Sequence, residues 1–234
     1  MVAPLALVTK DLHEQWELLR AWLDELPDDL SDAPSSLPGW SVADLVAHLG
    51  RSLDALKACE PQPADTEPIT LGEYLGGDAP TADRMSTVTK ELARTIAGDP
   101  LGALDELAEK AFARLDELSS AGEDAVVLAR RGPILLRDFA MTRLIELVVH
   151  AYDLARELPL PVPVDPTART LVAEALLDVL RRRSGAGVVI GDETAWVKLA
   201  SGRLDWAEGV ARTALRPGSL SDGTPDLSGL LPLL

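Results

Sequence analysis

The segment from Phe139 to Leu158, FAMTRLIELVVHAYDLAREL, constrains the fold of this chain more than any other. At about 100° per residue, apolar side chains cover most of its circumference, which is typical of a helix buried in a protein interior. The charged side chains are confined to one arc of roughly 80°, called the polar seam below. Its members are Arg143, Glu146, His150, Asp153 and Glu157. Because burying unpaired charges is costly, other charges, hydrogen bonds or a metal ion must neutralise this seam.

The length and charge of the chain narrow the class of protein. Its 234 residues are enough for one large domain or two smaller ones, and 47% hydrophobic with 26% charged residues is typical of a globular protein. The net charge of −16 argues against a nucleic-acid partner and against binding to anionic membranes. We therefore expect no nucleic-acid or membrane partner, and we expect the chain to be a monomer or a homodimer.

Cysteine content and hydropathy indicate a cellular compartment. The single cysteine, Cys59, excludes an internal disulfide framework and a multi-cysteine zinc site. No apolar run approaches the roughly 18 residues of a membrane span, and the N-terminal residues lack the basic region of a signal peptide. These features predict a cytoplasmic location.

Hydrophobic periodicity predicts a mainly α fold. Ser41 follows a Pro-Gly-Trp turn and precedes Asp44 by three residues, which predicts a capped helix start. The Pro-rich segment 159–166 reads as a linker and divides the chain into 1–160, a helical bundle, and 161–234, a small α+β domain. Helices are predicted over 8–26, 41–59, 80–97, 100–120, 134–158 and 167–183, with a shorter one over 204–213, and extended segments over 125–130 and 187–190. Residues 194–199 are ambiguous.

The polar seam can supply metal ligands. Glu146 and His150 are four residues apart, so both side chains lie on one helix face, and His48 lies at the edge of the core face of another helix. Two imidazoles and one carboxylate leave open positions on a cation, which is typical of a catalytic zinc site and also suits ferrous iron or nickel. Spacing alone equally allows a simple hydrogen bond between Glu146 and His150, and a histidine satisfied at the core edge for His48.

Two segments resemble a known family. LPGWSVADLVAHLGRSLDAL (37–56) and RLIELVVHAYDLAREL (143–158) are similar to the two signatures of the mycothiol-dependent maleylpyruvate isomerase family, part of the DinB-like four-helix-bundle superfamily. The resemblance implies a DinB-like bundle in which His48, Glu146 and His150 bind zinc. It further implies mycothiol as a thiol cosubstrate, activated by the metal as a thiolate for attack on a small electrophile, in a transferase or isomerase reaction. The alternative is a non-catalytic metal-binding module for a small molecule, lipid or protein partner.

The C-terminal residues resemble a second domain type. DETAWVKLASGRLDWAEGVA (192–211) and PDLSGLLPLL (225–234) are similar to the sterol-carrier-like domain found in many such actinobacterial proteins. Only about ten residues, 184–193, stand where that domain usually has several strands, so we expect a reduced version. In the related isomerase a C-terminal arginine assists catalysis, and Arg203 and Arg212 are the nearest candidates by region.

Two further seam residues are candidates for supporting roles. Asp153 is placed to orient His150 as a hydrogen-bond acceptor. Arg143 either holds a substrate carboxylate or pairs with Glu146 three residues away, and we favour the structural role. Cys59, at a helix end with only Lys57 as a basic neighbour, is expected to be inert.

Overall fold

A computed structural model describes residues 3–27, 33–76, 79–156, 160–218 and 225–234, without the side chains of 79–82. The fold is mainly α, as the sequence predicts, with two small antiparallel sheets. The helices are α1 (Leu5–Asp24), α2 (Val42–Asp54), α3 (Leu71–Tyr74), α4 (Ala79–Ile96), α5 (Pro100–Ser119), α6 (Leu136–Ala155), α7 (Pro166–Ser184), α8 (Glu193–Ala200) and α9 (Trp206–Ala211), followed by a 3₁₀ turn (Ser228–Leu230). The strands are β1 (Glu60–Pro61), β2 (Val126–Ala129), β3 (Gly132–Leu135), β4 (Val188–Ile190) and β5 (Leu215–Pro217).

Four long helices form the bundle. α6 packs against α1 and α2, and α5 packs against the same two helices from the other side, so the four form a closed ring around the core. α4 covers α2 on the outside. The first sheet, in the order β1-β2-β3, closes one end, where the β2–β3 hairpin leads directly into α6.

Local sequence signals set most helix starts. Ser41 accepts a hydrogen bond from the Asp44 backbone N–H, and the Asp44 side chain accepts one from the Ser41 N–H, which confirms the predicted capping box of α2. Asp99 caps α5, whose first residue is Pro100. α2 ends at Asp54, five residues before the predicted end, because residues 56 and 57 bond back only three residues and tighten the chain into turns.

α6 is the central helix of the bundle. Only Arg137, Asp138, Arg143 and Glu146 of its twenty residues escape full burial. The predicted polar seam is therefore partly open at Arg143 and Glu146 and closed at His150 and Asp153. Glu157, its last predicted member, lies outside the described residues.

The chain after the Pro-rich segment packs directly onto the bundle. Gln15 of α1 donates to the Pro163 carbonyl oxygen at 2.8 Å and accepts from the Asp165 N–H at 2.9 Å, which fastens this segment to α1. α7 packs on α6 and α1, and α8 packs on α7 through Trp196, fully buried, whose indole N–H donates to the Ala173 carbonyl oxygen at 2.9 Å. The proposed division into 1–160 and 161–234 stays a prediction.

The C-terminal region holds less sheet than helix. β4 and β5 form a two-stranded antiparallel sheet. The ambiguous residues 194–199 are helical and lie within α8, because Asp192 caps the Ala195 N–H. The apolar tail docks at the end of α8: Leu233 is buried and its N–H donates to the Ala200 carbonyl oxygen at 2.8 Å. Within the described residues, no helix combines the length and apolar character needed to cross a bilayer.

Candidate metal centre

The structure brings His48 of α2 together with Glu146 and His150 of α6. The Oε2 atom of Glu146 lies 3.2 Å from Nε2 of His48 and 3.2 Å from Nε2 of His150. The three ligand atoms lie within 4.8 Å of one another. His48, which precedes Glu146 by 98 residues in the sequence, and His150 therefore converge on one carboxylate oxygen.

The two imidazole rings sit perpendicular to each other at the wall of the bundle. Their centroids are 4.8 Å apart, and the Trp40 ring meets His48 edge-on at 5.4 Å. Each histidine side chain is 10% exposed, whereas that of Glu146 is 32% exposed. The cluster is thus shielded on the histidine side and open on the Glu146 side, which is the side from which a ligand can enter.

Burial and hydrogen bonds act on the three groups in different directions. Burial lowers the pKa of His48, and the hydrogen bond to Glu146 only partly opposes it. For Glu146, burial favours the neutral acid, but hydrogen bonds with His150 and His48 outweigh it and hold its pKa well below its usual range. For His150, burial is outweighed by the hydrogen bonds to Asp153 and Glu146, which raise its pKa. At neutral pH His48 is therefore neutral and Glu146 ionised, the forms in which these groups bind metals.

A second layer of polar contacts stands behind His150. The Nδ1 atom of His150 lies 2.9 Å from Oδ2 of Asp153. Arg203 donates to both oxygens of Asp153, through Nε at 3.1 Å and Nη2 at 2.6 Å, and through Nη1 to the Ser201 carbonyl oxygen. Burial raises the pKa of Asp153, but the bonds to His150 and Arg203 outweigh it and bring the pKa to about 2. Asp153 is thus a carboxylate that directs Nε2 of His150 toward Glu146.

Arg143 and Arg212, which the sequence also singled out, are not among the three candidate metal ligands. Arg143 has no salt bridge to Glu146 among the described residues; it donates to the Thr142 hydroxyl and to the Ser52 carbonyl oxygen, both at 3.0 Å, and stacks over the Phe139 ring. Arg212 is exposed at the end of α9. Sequence reasoning missed Ser36, whose hydroxyl donates to the Asp153 carbonyl oxygen at 3.0 Å, because a loop serine carries no periodic signal.

The donor set fits a divalent cation. Two imidazole nitrogens and a carboxylate oxygen form the borderline set that zinc, nickel and ferrous iron share. The buried Nδ1 atom of His48 has no hydrogen-bond partner among the described residues. His48 therefore lacks the kind of acceptor that Asp153 provides for Nδ1 of His150. Glu146 is directed at the imidazoles rather than at a lysine or arginine, so its charge remains available to a cation.

Comparison with known proteins agrees with this geometry. The family described as "Mycothiol maleylpyruvate isomerase N-terminal domain" matches residues 12–155, which include all three candidate ligands. No curated protein and no solved structure matches the chain. The match covers more than half of the chain and the whole bundle except the start of α1. The chain therefore belongs to the mycothiol maleylpyruvate isomerase N-terminal domain family.

Proposed function

We propose that His48, Glu146 and His150 bind one divalent cation, with zinc preferred over nickel or iron, and that the protein uses it in a mycothiol-dependent transferase or isomerase reaction. The observation that carries this proposal is the convergence of both Nε2 atoms on one Glu146 oxygen, at 3.2 Å each, at a partly open position. Family membership supports a small-molecule thiol as the partner.

The bound cation would lower the pKa of a coordinated thiol. A free thiol has a pKa near 8.5, and a bound divalent cation shifts a coordinated thiol to its nucleophilic thiolate form at neutral pH. A thiolate that adds to a small electrophile and stays attached gives transfer; one that adds and leaves again gives isomerisation. In both cases the protein must hold the thiol and the electrophile side by side.

The side chains of this chain contribute position and shielding. Asp153 accepts the Nδ1 proton of His150, so that Nε2 is the nitrogen that would give up its proton to bind the cation. Trp40 and the buried bundle core keep water from the histidine side, and the 32% exposure of Glu146 marks the approach for thiol and electrophile. Arg203 holds Asp153 and so gives the C-terminal residues a positioning role.

A cytoplasmic setting fits this chemistry. Cys59 is a buried free thiol, and thiol-dependent reactions require a reducing compartment. Of the C-terminal region that resembles a sterol-carrier-like domain, only Arg203 has a role in the proposed function. The proposed function does not include lipid binding.

Metal analysis tests the site. Protein purified without added metal should contain about one equivalent of cation by inductively coupled plasma mass spectrometry, and His150→Ala should lose it, since a three-ligand site rarely survives loss of one ligand. The matched control is His13→Ala, because His13 stacks on Phe112 at 3.8 Å and takes no part in the cluster. Full metal content in His150→Ala would show that the assigned ligands are wrong.

A second experiment separates an enzyme from a non-catalytic metal module. Mycothiol is added to the cobalt-substituted protein, and the thiolate-to-cobalt absorption band is followed. We expect the band to appear in wild-type protein and in His13→Ala, and to be absent in His150→Ala. A spectrum unchanged at millimolar mycothiol, in protein that retains its cobalt, would contradict the thiol-dependent function and favour the module.

A further inference from the structure

A cavity of about 220 Å³ lies between α1, the first turns of α6, α7 and the segment that leads into α3. Most of its wall is apolar, and that part includes Val8, Ile69, Met141, Leu171 and Val179. Apolar cavities of about 150 Å³ hold a molecule as large as benzene. The volume is therefore sufficient for a molecule slightly larger than benzene.

The cavity is separate from the candidate metal centre. Met141, in its wall, lies about 140° around α6 from Glu146. Asp138, also in its wall, precedes Glu146 by eight residues, which is about 12 Å along the helix axis. None of the three candidate metal ligands lines the cavity. A molecule bound there would therefore be distinct from the thiol and the electrophile.

Hydrogen bonds between elements hold the walls of the cavity together. The Ile69 N–H donates to the Pro133 carbonyl oxygen at 2.8 Å, which fixes the segment before α3 to β3. Arg183 of α7 donates through Nη2 to the Gly72 carbonyl oxygen at 2.7 Å, which fixes α3 to α7. Small-molecule sites are usually largely formed before the ligand binds, and this cavity meets that condition.

Both arginines in the wall are already paired with acids of the chain. Nη1 of Arg137 lies 3.2 Å from a carboxylate oxygen of Asp124, and Nε of Arg182 lies 2.7 Å from one of Asp178. The Nε atom of Arg137 has no partner among the described residues, but it is buried and so not presented to a ligand. The arginines therefore give an anionic ligand little to bind.

Two acids in the same wall have no partner. Among the residues that the structure describes, no ion pair and no side-chain hydrogen bond involves the half-buried Asp138 or the exposed Glu174. Burial raises the pKa of Asp138, and Arg137 and Arg182 oppose this only in part. A partly desolvated carboxylate without a partner is unfavourable unless a cation offsets its charge.

We propose that this cavity, called the amine site below, binds a small molecule that carries one ammonium group on an apolar body of about six to eight carbons. The ammonium donates charge-assisted hydrogen bonds to the Asp138 carboxylate, and the apolar wall removes the hydrocarbon part from water. Glu174 adds negative charge beside the cavity. The amine site does not rest on the proposed function.

Three molecules of similar shape and different charge test the amine site. Benzylamine is a cation at pH 7.5, benzyl alcohol is neutral and phenylacetate is an anion. In isothermal calorimetry on the whole chain, benzylammonium should bind at least about tenfold more tightly than benzyl alcohol, and phenylacetate should bind least. Asp138→Asn should abolish the advantage of benzylammonium. The matched control is Asp105→Asn, because Asp105 pairs with Arg20 and does not line the cavity.

The place of binding is measured as well, because an amine also coordinates metal ions. Met141 lines the cavity, whereas the sulfur of Met85 contacts Arg51. In protein with ¹³C-labelled methionine methyl groups, benzylammonium should shift the Met141 signal and leave the Met85 signal in place. Ala175→Leu, which fills the cavity, should abolish binding of benzylammonium and benzyl alcohol alike.

Equal affinity for benzylammonium and benzyl alcohol, unchanged benzylammonium affinity in Asp138→Asn, or a Met141 signal that does not move would each overturn the proposal. If Ala175→Leu fails to fold by circular dichroism, Asp138→Asn decides, because it keeps the size of the side chain. His150→Ala should bind benzylammonium as the wild type does. The amine site and the proposed function can therefore fail independently of each other.

Discussion

Arg203 holds the carboxylate of Asp153 at two points, with Nε 3.1 Å from Oδ1 and Nη2 2.6 Å from Oδ2. The same Oδ2 atom lies 2.9 Å from Nδ1 of His150. The Asp153 side chain is only 3% exposed, so this ion pair is buried on the acid side. A residue beyond the Pro-rich segment thus helps to fix the orientation of a candidate metal ligand in the bundle.

The Asp153 carboxylate should support metal affinity. Asp153→Asn keeps the shape of the side chain but removes the charge that holds His150, so we expect metal affinity to fall roughly 10–100-fold in competition with a chelator. Arg203→Gln should give a smaller loss in the same direction. Arg169→Gln, which breaks the separate salt bridge to Glu193, is the control. Wild-type affinity in Asp153→Asn would show that this contact is not needed for binding.

Cys59 should react slowly in the folded protein. Burial raises the pKa of its thiol from 9.0 to about 11, with Arg143 and Arg114 only partly opposing. Since the thiolate is the reactive form, the folded protein should hold about a hundredfold less of it at pH 7.5 than the unfolded chain. Iodoacetamide modification, followed by mass spectrometry with and without urea, measures this difference, and the native rate should rise steadily toward pH 11. Equal rates at pH 7.5 would contradict the burial argument.

Asp138 should make stability depend on pH. Burial raises its pKa, and Arg137 and Arg182 oppose this only in part. Folding therefore favours the protonated acid, so the stabilisation from the native Asp138 environment is present below the unfolded pKa of about 3.8 and is lost as pH rises through the folded pKa. We expect Asp138→Asn to raise the free energy of unfolding in urea at pH 7 and to have little effect at pH 3. A gain of the same size at both pH values would exclude titration of Asp138 as the cause.

Gly191 should be required for the turn after β4. A Cβ atom there would lie 2.1 Å from the Thr213 carbonyl oxygen, a backbone atom, so the main chain would have to move. We expect Gly191→Ala to lower the free energy of unfolding by about 1–3 kcal/mol. Gly187→Ala in the same region is the control, because a Cβ there meets no atom within 4 Å. Equal stability of the two variants by urea denaturation would contradict the prediction.

Local sequence patterns predicted much of the fold. The apolar circumference of 139–158 predicted a buried helix, and α6 is buried over most of its surface. The Ser41–Asp44 spacing predicted the start of α2, because a capping box depends only on residues three apart. The end of α2 and the helical state of 193–200 were not predicted well, because short-range bonds and packing against α7 decide them.

The sequence by itself determined which side chains share a helix face. Glu146 and His150 had to be neighbours once 139–158 was a helix, since residues four apart lie one turn apart. Only the tertiary structure decided that His48 meets them, that Arg203 reaches Asp153 across fifty residues, and that Arg143 reaches the Ser52 carbonyl oxygen on α2. The reason is physical: spacing along a helix follows from backbone geometry, whereas contacts between helices depend on how their apolar faces pack across the whole core.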